Sequence, residues 1–380
     1  MKSHQEQVTL HAMLLLLLLL SSACGISRGV WVPCEGQARP LSSRETIEAL
    51  IDNAVDLEID TLFVQVYRRD RAWFASALTD NTPYSEVLEQ DGVDPLAYLL
   101  KAAHGKKIKV HAWFNVFNFG NNPESNFLVK HGDRFLLRDR FENTTADYLS
   151  GEVETPDGRF QIDAPGLWID PGQPEVQDYL FDLATGLVSR YPTLDGLHLD
   201  FIRYPYVLPF LPLSSFTVGN EFGHNPESLA RYHEEEGKKW DQWKREQVTA
   251  FVKKVKGYLE KDHPRIQLSA AVISWPDRAY LTAHQDWRTW IEKNWVDFVV
   301  LMNYSRDRTL FHHVSRQASV YPEEKVRIGI GLYALKDNPD LFVAEINDVR
   351  KMKVGGYVLF SYDDLYDDPS IRETLKTSSE

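Results

Sequence analysis

Apolar residues along this chain follow two alternating rhythms. Residues 29–33 (GVWVP), 61–67 (TLFVQVY), 109–114 (KVHAWF), 196–201 (GLHLDF), 267–272 (QLSAAV), 297–302 (DFVVLM), 326–331 (VRIGIG) and 356–360 (GYVLF) are short apolar runs. Such runs suit strands buried on both faces. Between them the spacing changes to three and four. Ile47, Leu50, Ile51, Ala54 and Val55 predict one helix, and residues 95–104 another. A helix over 174–191 carries Val176, Leu180, Leu183 and Leu187 on one face, with Pro174 suited to its first turn. Phe251, Val255 and Leu259 mark a fourth, and Leu341, Glu345, Ile346, Val349 and Met352 a fifth.

Eight strands separated by helical patterns imply parallel pairing through right-handed crossovers. A closed (β/α)8 barrel and a doubly wound open sheet both satisfy that pattern. No glycine-rich phosphate loop follows the first strand, which weighs against the open nucleotide-binding sheet. The expected fold is therefore an α/β chain closed as a TIM barrel. Such a barrel needs only about 250 residues, and the surplus lies in residues 115–173 and 204–239, after strands three and four. Both insertions fall at C-terminal strand ends, the face on which barrel sites are built. No internal repeat appears, so residues 24–380 are expected to form one domain.

The N-terminus reads as an address. Residues 12–20 end in seven consecutive leucines, followed by Ser21, Ser22, Ala23 and Cys24. That run is too short for a membrane-spanning helix of about 20 residues and fits the apolar core of a secretory signal over residues 1–23. It also resembles a bacterial lipoprotein signal, in which Cys24 would be lipidated after cleavage. The expectation is an exported, periplasmic or cell-envelope protein whose only membrane contact is that anchor. A disulfide between Cys24 and Cys34 is the alternative use of the two cysteines.

Composition adds exclusions. With 43% hydrophobic and 26% charged residues the chain is neither collagen-like nor largely disordered. A formal charge of −13 repels phosphate backbones, so no nucleic-acid partner is expected. Ten Trp and 17 Tyr leave two uses open, core packing and stacking on sugars.

If the barrel closes, the strand ends face a substrate. They supply Gln65, Tyr67, Arg68 and Asp70; Trp113 and Asn115; Asp200, Arg203 and Tyr204; Ser274 and Trp275; Asn303, Tyr304 and Arg306; and Ser361, Tyr362 and Asp363. Neither convergent histidines nor a phosphate-binding turn is among them, so no metal and no organic cofactor is expected. Carboxylates, amides, guanidinium groups and rings on a concave surface suit carbohydrate chemistry. Asp200 interrupts an apolar strand, where a charge is costly unless paired. It serves either as a structural partner of Arg203 or as a carboxylate stabilising an oxocarbenium-like transition state. His198 shares its strand face and either bonds to Asp200 or fills the barrel. Asp195, at the opposite strand end, reads as structural.

Residues 195–205 (DGLHLDFIRYP) resemble the strand-four signature of the family-10-like glycosyl hydrolases, a TIM-barrel group of mostly exported bacterial proteins. GVWV with Trp31, FVQVYRRDRAWFASAL (63–78), HAWFN (111–115) and WIDPGQPEVQDYL (168–180) match as well. The resemblance implies a glycoside hydrolase acting on glycan chains, with cell-wall strands (peptidoglycan) one substrate. It points to Arg68, Asp70, Asn115, Asp200, Arg203 and Tyr204. One departure stands out: Asn115-Val116-Phe117-Asn118 occupies the place of a Pro-containing turn.

Glycosidases generally use two carboxyl groups. The expected pair is Asp200 as principal carboxylate and Asp70 as acid/base, ahead of Asp307, Asp363 and Asp170, the last of which suits a helix cap. A substrate 2-acetamido group is another source of the nucleophile. Trp113, Trp275, Tyr204 and Tyr304 would line the sugar subsites, with Arg68, Asn115 and Arg203 binding hydroxyls. Trp240, Trp243, Trp287 and Trp290 fall in helical stretches and read as packing. Two other readings remain: a non-catalytic glycan-binding protein on the same scaffold, and a glycan-modifying enzyme such as a transglycosylase or deacetylase. For a metal-dependent deacetylase, His312 and His313 are poorly placed, because they precede a helix rather than end a strand.

Overall fold

The computed structural model describes residues 26–208, 221–336 and 338–377; the expected signal, residues 1–23, and Cys24 lie outside them. Eight parallel strands form the centre: β1 (Ser27–Val32), β2 (Thr61–Arg68), β3 (Lys109–Asn115), β4 (Gly196–Asp200), β5 (Gln267–Ile273), β6 (Phe298–Met302), β7 (Val326–Gly331) and β8 (Gly356–Phe360). Each pairs with its sequence neighbour, and β1 pairs with both β2 and β8, which closes the barrel. The expected TIM barrel is the fold found, and the predicted strands differ from the observed ones by two residues at most. Among the described residues no helix is long and apolar enough to cross a membrane.

Closure sorts the side chains by parity. Along β3, Val110, Ala112 and Phe114 join the large core beneath the helices, whereas Trp113 belongs to a second apolar cluster inside the barrel. Trp31, Phe63, Ala271, Phe298, Val300 and Val358 complete that inner cluster. The helix over Arg44–Asp56 buries Ile47, Leu50, Ile51 and Ala54 but leaves Val55 47% exposed, at the rim of its apolar stripe. Trp243, Trp287 and Trp290 are buried packing residues, and Trp240 stacks on Trp243 at 5.1 Å.

Large rings inside a narrow barrel need small partners opposite them. Gly196 faces His111, whose ring lies between Phe63 and Phe298 at 5.0 and 5.6 Å. Gly329 faces Trp31, and Gly331 faces Tyr304. Polar groups here are sparse: both ring nitrogens of His111 are buried without a hydrogen bond, whereas His198 is matched on both sides. Trp31 donates through Nε1 to His198 Nε2 at 3.0 Å, which leaves the imidazole Nδ1–H to donate to Ser269 Oγ at 2.9 Å. Burial, and then the charge of Arg327, hold His198 down at about 3, so it is neutral. It fills the barrel rather than bonding to Asp200.

The two insertions form one wall over the C-terminal mouth. In the first, Val153–Thr155 and Gly158–Ile162 make an antiparallel hairpin. The second then adds Val207–Leu208 to the hairpin edge. Asn225 ties the layers further, accepting from the Arg138 N–H and donating to the Leu136 carbonyl.

A methyl group at Gly196 would sit 2.0 Å from His111 Nδ1, in a ring cluster with no space to yield. Gly196→Ala is therefore expected to lower stability by about 1–3 kcal/mol, the usual range for overpacking. Chemical denaturation measures this, and an unchanged midpoint would show that the ring can shift.

Candidate active site

A cleft of about 800 Å³ opens at the C-terminal end of the barrel. Its floor is the last inward layer of the strands. Gln65 lies beside Trp113 in the β2–β3 register, and Asn115 beside Asp200 in the β3–β4 register. Gln65 donates to Asn115 Oδ1 at 3.2 Å, and its own oxygen accepts from the Cys34 thiol at 3.4 Å. Phe360 and Tyr304 stack at 5.3 Å along one side.

Asp200 is the chemical centre of this floor. Its carboxylate accepts from Trp113 Nε1 at 3.1 Å and from the Phe201 N–H at 2.6 Å. Phe201 holds a left-handed conformation, φ 51°, which is uncommon for a bulky side chain and places strain beside the carboxylate. Arg203, the expected structural partner, turns away to Asp163, with 2.7 Å between Nη2 and Oδ2. Burial without an ion pair pushes the Asp200 carboxyl up to about 6, against the smaller opposing effects of the Phe201 and Trp113 N–H donors and of the charges of Arg203 and Arg68. The same carboxylate, after burial, raises the hydroxyl pKa of Tyr304.

Arg68, Trp113, Asn115, Arg203, Trp275 and Tyr304 join Asp200 in the cleft wall. Two expected residues do not. Asp70 is fully buried outside the cleft, and its carboxylate accepts from four groups: the hydroxyls of Tyr67, Thr79 and Tyr179 at 2.8, 2.9 and 2.5 Å, and the Phe127 N–H at 3.2 Å. The expected acid/base is thus a structural hub. Arg69 and Asp70 form a two-residue hairpin turn between β2 and the short strand Arg71–Ala72, with φ of 56° and 54°. Such turns require positive φ at both positions and usually employ Asn-Gly. Here the four donors hold a less favourable pair in that shape.

Tyr204 is also displaced, being 1% exposed, with its ring edge-on to His284. Tyr206, two residues on, lines the cleft instead. The other carboxylates considered lie elsewhere. Asp307 caps the helix Arg308–Arg316, Asp363 accepts from the Ala38 N–H, and Asp170 accepts from Ser228 Oγ and the Gly172 N–H at the start of a helix. The lining carboxylate that sequence reasoning missed is Asp163, in the first insertion, where no periodicity marks it. Arg69 adjoins the selected Arg68 and shared its signal. Asp195 accepts from the Val110 N–H at 2.8 Å at the far strand end, a structural role.

Away from the cleft, ligating atoms of Glu221, Asp241 and His284 lie within 4.8 Å of one another. Lys244 Nζ sits 2.5 Å from Glu221 and 3.7 Å from Asp241, so an ammonium already supplies the cation of that group.

A barrel with a carboxylate floor, ring walls and loop-built sides defines the class of TIM-barrel proteins that includes many glycosidases. Residues 27–339 match the family described as Glycosyl hydrolase-like 10, and the chain belongs to that family. Among characterised relatives, the chain is 25% identical to Glycosyl hydrolase DigH of Escherichia coli O6:H1, over 89% of this chain and 81% of that protein. It is 23% identical to Glycosyl hydrolase YngK of Bacillus subtilis, over 91% of this chain and 68% of that one. The endo-1,4-beta-mannanase of Rhizomucor miehei shares the fold with a TM-score of 0.54 at 11% identity, covering 94% of each chain. An alpha-galactosidase from Lactobacillus brevis does so with a TM-score of 0.51 at 14% identity, over 93% of this chain and 40% of that one.

Two predictions concern stability. Asp70→Ala leaves three hydroxyls and one N–H without their acceptor and is expected to cost about 3 kcal/mol or more, read from the denaturant midpoint. A loss below about 1 kcal/mol would show that other contacts hold the turn. For Asp200 the expectation concerns pH. Its folded pKa lies above the ordinary 3.8, so its contribution is fully present below that value and is lost as pH rises through about 6. Between about pH 3 and pH 8 this amounts to about 3 kcal/mol. In Asp200→Asn the stability change over that interval should shrink by that amount; equal changes in both proteins would refute the raised pKa.

Proposed function

We propose that this chain hydrolyses O-glycosidic bonds in a polysaccharide bound along the cleft, with Asp200 as the proton donor. One observation carries the reading. Among the described residues that line the cleft, Asp200 is the one carboxyl outside an ion pair, and burial holds it at about 6. A proton donor works best with a pKa near the operating pH. In this scheme the Asp200 proton passes to the departing glycosidic oxygen as the C–O bond breaks. Positive charge then develops at the anomeric carbon. Either water attacks the opposite face and gives its proton to solvent, or the substrate's own 2-acetamido oxygen attacks to form a cyclic oxazolinium that water then opens, returning a proton to the Asp200 carboxylate. Trp113 and Phe201 hold the carboxyl through their N–H groups, while Trp275, Tyr304 and Tyr206 offer faces for sugar rings. Family membership supports this reaction class, and cell-wall glycan is the first substrate to try.

The non-catalytic alternative draws on one specific feature: the second lining carboxylate, Asp163, is already committed to Arg203 and to the Tyr206 N–H. Wild type and Asp200→Asn separate the two readings when new reducing ends are followed on peptidoglycan, chitin-like and plant polysaccharides. The hydrolase reading expects cleavage by wild type with kcat/KM falling as pH rises through about 6. It also expects a loss of at least about 100-fold in the variant, with fold and glycan binding retained. No cleavage of any glycan by wild type would leave the binding protein.

A further inference from the structure

Four guanidinium groups line this cleft, in a protein whose formal charge is −13. Two of them have partners close by: Arg203 is ion-paired with Asp163, and Arg278 lies 5.8 Å from the Tyr206 ring centre. Arg68 and Arg69 stand differently. Both depend on the single carboxylate of Glu35, at 3.6 and 3.3 Å, and Arg71 reaches the other Glu35 oxygen at 3.6 Å. Those contacts are ionic but poorly formed, since Glu35 Oε2 and Arg69 Nε are both shielded from solvent and make no hydrogen bond. Arg71 has a good partner of its own, Asp80 at 2.8 Å. One carboxylate therefore faces two cleft-lining cations that have no other ion pair among the described residues.

The pair is also held in place. Arg68 ends β2 directly opposite Arg71, and Arg69 occupies the left-handed turn that Asp70 locks. The Arg69 stem lies against Gly120, where a methyl group would come within 2.6 Å of Cγ. Asn122 Nδ2 donates to the Arg69 carbonyl at 2.5 Å. A planar guanidinium fixed at a cleft wall is suited to two-point binding of a carboxylate.

We propose that Arg68 and Arg69 form a subsite for an anionic sugar, a pyranose bearing a carboxylate. The shared chemistry covers the C6 carboxyl of a hexuronate and the lactyl carboxyl of a muramic residue. This inference rests on the cleft being a glycan site, as proposed above, but not on cleavage. It differs from a purely electrostatic role in which Arg68 and Arg69 only tune Asp200. That role would shift the pH profile and affect neutral and acidic glycans alike.

The test uses the full chain carrying Asp200→Asn, with binding measured calorimetrically. The probes are oligogalacturonate, peptide-free N-acetylmuramic-acid oligosaccharides and neutral chito-oligosaccharides of matched length. At least one acidic probe should bind about tenfold or more tighter than the neutral one, the size of a charge-assisted hydrogen bond. That preference should weaken as salt is raised. Adding Arg69→Gln should reduce the acidic-to-neutral ratio about tenfold. Adding Glu35→Gln, which removes the competing carboxylate, should raise the ratio, a gain that a folding defect does not produce. Whichever acidic probe binds identifies the source of the carboxylate. Neutral binding equal to or tighter than both acidic probes, a ratio unmoved by either substitution, or no binding to any probe would overturn the subsite. Failure of wild type to cleave any glycan while the binding preference persists would overturn the hydrolase reading alone.

Discussion

Closing eight parallel strands into a barrel sends alternate residues of each strand into one narrow interior, and the site is the top layer of that interior. The layers below are filled with large rings and few polar groups, of which the His111 imidazole makes no hydrogen bond. Glycines opposite the rings make room for them, as Gly196 does for His111 and Gly329 for Trp31. The Trp31–His198–Ser269 chain satisfies the second imidazole. Only at the last layer does the alternation expose Gln65, Asn115 and Asp200 to the cleft, on a base too tightly packed to move.

That arrangement explains why Asp200 is unusual. Its position is set by the strand, its donors by Trp113 and the strained Phe201, and its isolation by Asp163, which draws Arg203 away. An ion pair within reach would have lowered its pKa and left it ionised near neutral pH. The interlocked insertions hold this electrostatic balance, because Asp163 comes from one and Arg203 immediately precedes the other.

Asp70 shows the opposite use of a buried carboxylate. Surrounded by four donors, it holds the hairpin turn that presents Arg68 and Arg69 to the cleft, and so acts on the site from outside it. The matching motif contained both kinds of residue, with nothing in their spacing to separate the one that lines the cleft from the one that anchors the turn. Tyr204 and Tyr206 make the same point, since a strand-end rule cannot say which aromatic of a winding loop turns inward.

Periodicity, with the absence of a glycine-rich phosphate loop, pointed to the barrel. Runs of five to eight residues buried on both faces and helices of regular spacing leave few parallel arrangements, and the absence of a phosphate loop removed the main competitor. Position at the C-terminal ends of β3 and β4 likewise marked Trp113, Asn115 and Asp200 from the sequence, and alternation along β4 put His198 on the same face as Asp200. Outside the strands that rule stops. The roles of Asp70, Tyr204, Asp163 and Arg69 were decided by tertiary structure, since each lies in a loop or turn whose path depends on contacts with residues distant in sequence: Tyr179 and Phe127 for Asp70, His284 for Tyr204, Arg203 for Asp163, Glu35 for Arg69.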